Sequence, residues 1–393
     1  MIGKSGNWVW EPSAESGRRI LYVAYPLLIV SDESAGGAEQ ILWTLEREMT
    51  MRGMRTMTAA SAGSKVSGEL FNTGEPCNTP DDFERRNREH RDRVVELVRS
   101  RERLGEPLDL IHDMSGSFWS RAAELDVPVL ATLHLPRNFY SRSVFENVPG
   151  NVSFNCVSGA QARSFAELNP AIVQNGIPLE RFEPNIRSRS GLLWLGRICE
   201  EKGPHLALDI AERAKEPITL AGQLYPFSYH QQYFDREIRP RLEQMPDAIF
   251  ISTPTAEEKR RLLRDAKAVL ITSIVDETSS LVAMEAAASG TPVVAFPRGA
   301  LPEIVKDEVT GFLVDGVEVA VEALRRVGRI DPLICVTQAE KMFSSKKMAE
   351  GYERLYADVC ASSTHVTYAA EGTSTPSRAK PARGGDPGGC GPL

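Results

Sequence analysis

Ala268-Val269-Leu270-Ile271-Thr272 runs through Ser273-Ile274-Val275 into Asp276-Glu277-Thr278-Ser279-Ser280, then into Leu281-Val282-Ala283-Met284-Glu285. The first block is short, apolar and β-branched, and reads as a buried strand. Leu281, Met284 and Ala288 follow at helical spacing, and Thr278, Ser279 and Ser280 are residues that cap helix starts. Strand, short loop and helix in that order are one step of a parallel α/β sheet. Free backbone N–H groups and the helix dipole then make the Ser279–Ser280–Leu281 end an anion site. It lies at the strand's carboxyl end, where such sheets bind ligands. Two acids flank it. Glu277 stands at the helix mouth. Glu285, about one and a half turns in, leans back toward the same end. Acids beside a phosphate site make sense when each accepts hydrogen bonds from hydroxyls, one on a ribose and one on a sugar.

Working outward, the alternation of strand and helix continues both ways. Strands are predicted at 192–195, 218–221, 248–251 and 292–296, with helical patterns at about 317–327 and 338–360. Before the turn signals of Gln174-Asn175-Gly176-Ile177-Pro178 lie strands at 20–24, 55–59, 108–112, 128–133 and 152–157. A helix is predicted from Gly37 to about 52. Residues 81–106 are dense in Arg and Glu, with both signs interleaved around Val94, Val95, Leu97 and Val98. That pattern reads as a solvated helix face rather than a nucleic-acid patch. The chain is therefore expected to be α/β with two parallel-sheet domains, at 18–180 and 185–335, and a last helix at 338–360. Residues 362–393 are rich in Ser, Thr, Gly, Pro and Ala and are expected to be a disordered tail.

Composition narrows the function. Of 393 residues 42% are apolar and 25% charged, and the formal net charge is -7. Nonspecific nucleic-acid binding needs a basic surface, so no nucleic-acid partner is expected. The six cysteines form no C-x-x-C pair, so neither a zinc site nor a disulfide framework is expected. No apolar run reaches the roughly 18 to 20 residues that span a bilayer, and residues 1–17 lack the apolar core of a signal peptide. The expectation is a cytoplasmic protein, with peripheral membrane contact left open. G-x-G-x-x-G is absent after 20–24, which argues against a dinucleotide oxidoreductase.

Three further features carry chemistry. Strand 192–195 runs into Gly196-Arg197-Ile198-Cys199-Glu200-Glu201-Lys202-Gly203, placing two cations at a strand's carboxyl end. Arg offers a planar fork to phosphate, and Lys a compact charge. Gly36-Gly37-Ala38-Glu39 opens the first long helix, where small residues let a backbone approach a phosphate or sugar closely. His134 follows strand 128–133.

Together these residues resemble family 4 of the retaining glycosyltransferases. Glu277 and Glu285 form its E-x7-E pattern, and the Glu285 to Ala295 segment is similar to its E-A-x-A-x-G-x-P-V-V-A block. Gly299-Ala300-Leu301-Pro302-Glu303-Ile304-Val305 and Thr310-Gly311-Phe312-Leu313-Val314 resemble the next two blocks. Gly196-Arg197 with Lys202-Gly203, and Gln174-Asn175-Gly176-Ile177 with Arg181-Phe182, resemble two earlier ones. All five stand in order over residues 174–314. Gly36-Gly37-Ala38-Glu39 is like the family's G-G-A-E, and Ser158 like the start of a recurring Ser-containing turn. Thr278-Ser279-Ser280 departs from the Pro-aromatic-Gly often found there, which leaves the sugar open.

The resemblance implies a GT-B fold, two Rossmann-like domains facing a cleft. It implies the acceptor on the first domain and the donor, a nucleotide-diphosphate sugar such as a UDP- or GDP-sugar, on the second. Arg197, Lys202 and the Ser279–Ser280–Leu281 amides would stabilise the leaving diphosphate. Glu285 would hold the ribose and Glu277 the sugar hydroxyls, and His134 would line the sugar pocket. No cofactor and no metal are implied. The hydroxyl acceptor, whether polysaccharide, lipid-linked or small molecule, is not named by any motif. A nucleotide-sugar epimerase of the same architecture and a catalytically silent sugar-binding module remain alternatives.

Overall fold

The computed structural model describes residues 17–34, 36–77 and 80–370. Two parallel sheets organise them. The first holds β1 (Arg19–Val23), β2 (Arg55–Ala60), β3 (Glu69–Asn72), β4 (Leu110–Asp113), β5 (Val129–Leu133), β6 (Val152–Cys156) and β7 (Ala171–Ile172), in the order β3-β2-β1-β4-β5-β6-β7. The second holds β8 (Leu192–Leu195), β9 (Ile218–Gly222), β10 (Ala248–Ser252), β11 (Ala268–Ile271), β12 (Val293–Ala295) and β13 (Gly311–Leu313), in the order β10-β9-β8-β11-β12-β13. The central strands are apolar on both faces because helices cover both sides: Ile20, Leu21, Tyr22 and Val23 of β1 are all fully buried. In each sheet the order reverses beside its first strand, which opens a crevice at the carboxyl ends there.

Three strands lie outside the sequence-based set. β3 is a four-residue edge strand of mixed polarity, β7 has two residues, and β13 is three residues long. All three are too short for periodicity to register. The 81–106 helix spans Pro80–Arg103 and does bury one side, through Phe83, Val94, Val95 and Val98.

The last helix differs from expectation. Two helices, Pro332–Met342 and Ser345–Ala370, stand where one was predicted at 338–360. Between them Ser344 pairs with Ile177 as an isolated bridge. Ile177 N donates to Phe343 O at 2.8 Å and Ser345 N donates to Ile177 O at 2.8 Å. The two chain segments that join the domains are thus bonded to each other. Gly176 permits this: a Cβ there would sit 2.5 Å from Ser344 O. The helix continues to Ala370, past the expected start of the tail, and residues 371–393 lie outside the described ones.

The Ser345–Ala370 helix seats on the first sheet through a buried polar network. His112 Nδ1 lies 2.8 Å from Tyr356 Oη and its Nε2 2.7 Å from Thr132 Oγ1. Asn155 Nδ2 donates to Tyr352 Oη at 3.1 Å, and the Tyr22 and Tyr356 hydroxyls are 3.2 Å apart. These side chains are buried, so each pairing avoids the cost of an orphaned polar group. No helix among the described residues is long and apolar enough to cross a membrane.

Candidate active site

The helix after β11 runs Leu281–Ala288, capped by Ser280, whose hydroxyl accepts from Ala283 N. The loop before it carries Glu277, which is 9% exposed. Its carboxylate receives Lys202 Nζ at 2.6 and 2.7 Å, and Ser273 Oγ donates to the same group. Its carbonyl accepts from Ala300 N at 2.7 Å. Gly299 makes this approach possible: its φ is +57°, and a Cβ would lie 2.2 Å from Glu277 O. The G-A-L-P-E block thus fixes the backbone of the acid. Arg197 follows β8, and Lys202 ends a short turn, Glu200–Lys202, held by Lys202 N donating to Cys199 O.

The first domain faces this rim. A cleft of about 640 Å³ is lined by Gly36, Gly37, Glu39 and His134 on one side and by Arg197, Lys202, Glu277, Thr278, Ser279 and Leu281 on the other. The Gly-Gly turn abuts the start of the Leu281–Ala288 helix: the Cβ position of Gly37 is 3.5 Å from Leu281 Cδ1. Thr278 Oγ1 donates to the His134 carbonyl at 2.8 Å, a direct bond between the domains. A second joins Glu303 to Gly159 N at 2.9 Å and Ala160 N at 2.6 Å. Ser158, at that helix's start, accepts from Gln161 N.

Two predicted site residues lie elsewhere. Ser280 does not line the cleft, because its hydroxyl turns inward as the helix cap. Glu285 faces a smaller hollow of about 50 Å³ shared with Lys259 and Gly176. Its Oε1 is 3.8 Å from Lys259 Nζ, and its buried Oε2 has no hydrogen-bond partner. Leu281, one turn earlier on the same helix face, lines both spaces.

Burial sets the protonation of the first domain's wall. The His134 imidazole is pushed down to about 4 and is neutral at pH 7. Its Nε2 and the Ser279 hydroxyl are enclosed without a partner. Burial pushes the Glu39 carboxyl up to about 7. Glu39, Ser273 and Phe227 carry no signal of a site role in the sequence. Glu39 belongs to the G-G-A-E motif, but its burial is a property of packing. Ser273 precedes Glu277 by four residues, a spacing without meaning in a loop. Among the described residues no three His, Cys, Asp or Glu side chains are grouped to hold a metal ion.

The architecture is the GT-B glycosyltransferase fold. Sucrose-phosphate synthase from Thermosynechococcus elongatus superposes with a TM-score of 0.71 at 19% identity, over 88% of this chain and 100% of that one. Anabaena Alr3699/HepE in complex with UDP and glucose gives 0.65 at 16%, over 86% and 99%. At such identities the likeness is one of fold. Residues 189–328, about a third of the chain, match the family model Glycosyl transferases group 1. The D-inositol 3-phosphate glycosyltransferase of Thermobifida fusca (strain YX) is 26% identical over 260 residues, 55% of this chain and 60% of that protein. The chain therefore spans less than two thirds of that relative's length.

Proposed function

We propose that the protein is a retaining glycosyltransferase that moves a hexose-type sugar from a UDP- or GDP-sugar to a hydroxyl acceptor. The carrying observation is one cleft in which Arg197, Lys202 and the Leu281 helix start face Gly36-Gly37 and His134. The first domain takes the acceptor and the second the donor. The anomeric C–O bond to the diphosphate breaks, and a bond from that carbon to the acceptor oxygen forms. The hydroxyl proton leaves with the diphosphate.

The barrier lies in charge developing on the departing diphosphate. Arg197, Lys202 and the free amides at Ser279 and Leu281 stabilise it where it appears. Glu277 accepts hydrogen bonds from the sugar hydroxyls, and Lys202 keeps it aimed. Glu285 keeps an unpartnered oxygen in the hollow that shares Leu281 with the cleft, and accepts from a ribose that reaches past Leu281 into it. His134, neutral, borders the sugar without adding positive charge. A fold of the same kind holds UDP and glucose in Anabaena Alr3699/HepE, which supports a nucleotide-sugar donor here.

The test is release of nucleoside diphosphate from UDP- and GDP-sugars, with and without acceptors. NMR of the fresh product's anomeric proton reads the stereochemistry. An inverted product overturns retention, and binding of a nucleotide sugar with no turnover under any acceptor favours a silent binding module.

A further inference from the structure

The first domain's wall of the cleft carries no lysine or arginine among the described residues. Tyr25, Leu27, Leu28 and Ile29 form one stretch of it, continued by Pro76 and Leu135. Ile29 is 39% exposed, an apolar side chain left wet on the wall of a ligand-sized opening. From the second domain Tyr225 and Phe227 border the same space, their rings stacked with centroids 5.9 Å apart and planes at 13°. The titratable side chains on the first domain's wall include Glu39, an acid, and His134, held neutral.

The basic side chains lining the cleft, Arg197 and Lys202, stand on the opposite rim, and Lys202 is already bonded to Glu277. A donor diphosphate engages both. A phosphorylated acceptor would bring a second anion against hydrocarbon and the Glu39 carboxyl. It would lose hydration there, since the first-domain arginines Arg85, Arg86 and Arg93 line a neighbouring opening that shares only Pro76 and Cys77 with this wall. Apolar surface gains instead by leaving water, and flat rings pack favourably on aromatic side chains.

We infer that the acceptor is an uncharged hydroxyl compound with an apolar or aromatic face, an aryl or alkyl aglycone rather than a phosphorylated polyol. This rests on the glycosyltransferase reading above. The transfer balances as before: the donor's anomeric C–O bond breaks, the acceptor oxygen takes that carbon, and its proton departs with the diphosphate.

The experiment measures binding to the full chain by calorimetry, with saturating nucleoside diphosphate present. The probes are 4-methylumbelliferyl glucoside, methyl glucoside and myo-inositol 3-phosphate. The aryl glucoside is expected to bind at least about ten-fold more tightly than the methyl glucoside, consistent with burying one ring face, and the inositol phosphate not measurably. Ile29→Lys is expected to weaken aryl-glucoside binding about ten-fold while nucleoside-diphosphate affinity stays within about two-fold. Inositol phosphate or methyl glucoside binding as well as the aryl glucoside overturns the inference, as does unchanged aryl affinity in Ile29→Lys. Failure of every nucleoside diphosphate and nucleotide sugar to bind marks failure of the glycosyltransferase reading itself.

Discussion

Lys202 Nζ lies 2.6 and 2.7 Å from the two carboxylate oxygens of Glu277. The cation assigned to the donor's diphosphate and the acid assigned to its sugar therefore hold each other before a donor arrives. Removing either one acts on both, and this separates variants that the sequence alone treats alike.

Arg197 is the cleaner probe of the diphosphate site, since it is not half of such a pair. Arg197→Ala is expected to lower kcat on the order of a hundredfold, the usual loss for one charge-stabilising donor, with little change in melting temperature. Lys202→Ala is expected to lower both, because it leaves Glu277, 9% exposed, without its counter-ion. Steady-state kinetics and thermal melts on the two variants check this. Near-normal turnover in both rules out the diphosphate assignment.

Glu277→Gln frees the Lys202 ammonium. We expect turnover to fall strongly while nucleoside-diphosphate affinity is kept or rises. Glu285→Gln is expected to weaken both, because the ribose is common to donor and product. Calorimetry with the free nucleotide distinguishes them, and an equal loss of nucleotide affinity in both variants reverses the two roles.

Thr278→Val removes the hydroxyl that reaches the His134 carbonyl. One neutral hydrogen bond contributes about 1 kcal/mol, so the closed arrangement is expected to be disfavoured about five-fold. The readout is an increase of that size in the donor's KM with kcat nearly unchanged. Loss of kcat at constant KM would place Thr278 in the chemistry instead.

Stability is expected to fall as pH drops from about 6.5. Burial lowers His90 to about 3, His134 to about 4, and His112 well below its ordinary value. Between those values and 6.5 the unfolded chain binds protons that the native chain refuses, so acid favours unfolding. Glu39, raised to about 7, opposes this: the native state holds its proton between 7 and the unfolded carboxyl value. Asp113, also raised by burial, acts in the same sense. His205 and His230 are lowered by burial as well, so the lowered imidazoles outnumber the two raised acids and the net sign is a loss of stability as pH falls. Denaturant titrations at pH 7, 6 and 5 test the sign, and rising stability across that range would contradict it.

Activity is expected to persist in excess EDTA, because Arg197, Lys202 and the helix amides supply the charge that a metal provides in other transferases. Loss of activity in EDTA, restored by magnesium or manganese, would overturn this.

The α/β fold was legible because strands such as 192–195 and 268–271 are buried on both faces and stand out as unbroken apolar runs. Short edge strands such as Glu69–Asn72 carry no such mark. Arg197, Lys202 and Glu277 could be found from sequence because the chemistry and the motif spacing coincide within single loops. Glu39 and Thr278 could not: what matters for each is a partner or an enclosure supplied from residues far along the chain. The break between Met342 and Ser345 was invisible for the same reason, since it is imposed by Ile177, a residue of the other crossing.

That other crossing shapes how the molecule moves. A lone linker lets two bodies swivel about any axis. Here Ile177 and Ser344 run side by side, bonded through Phe343 O and Ser345 N, and form a narrow ribbon. Two crossings bonded side by side resist relative twisting more than one free linker does. The same joint keeps Thr278 facing the His134 carbonyl and Glu303 facing the Gly159 and Ala160 amides. Alignment of the two walls is thus held in the joint itself, before any substrate is present.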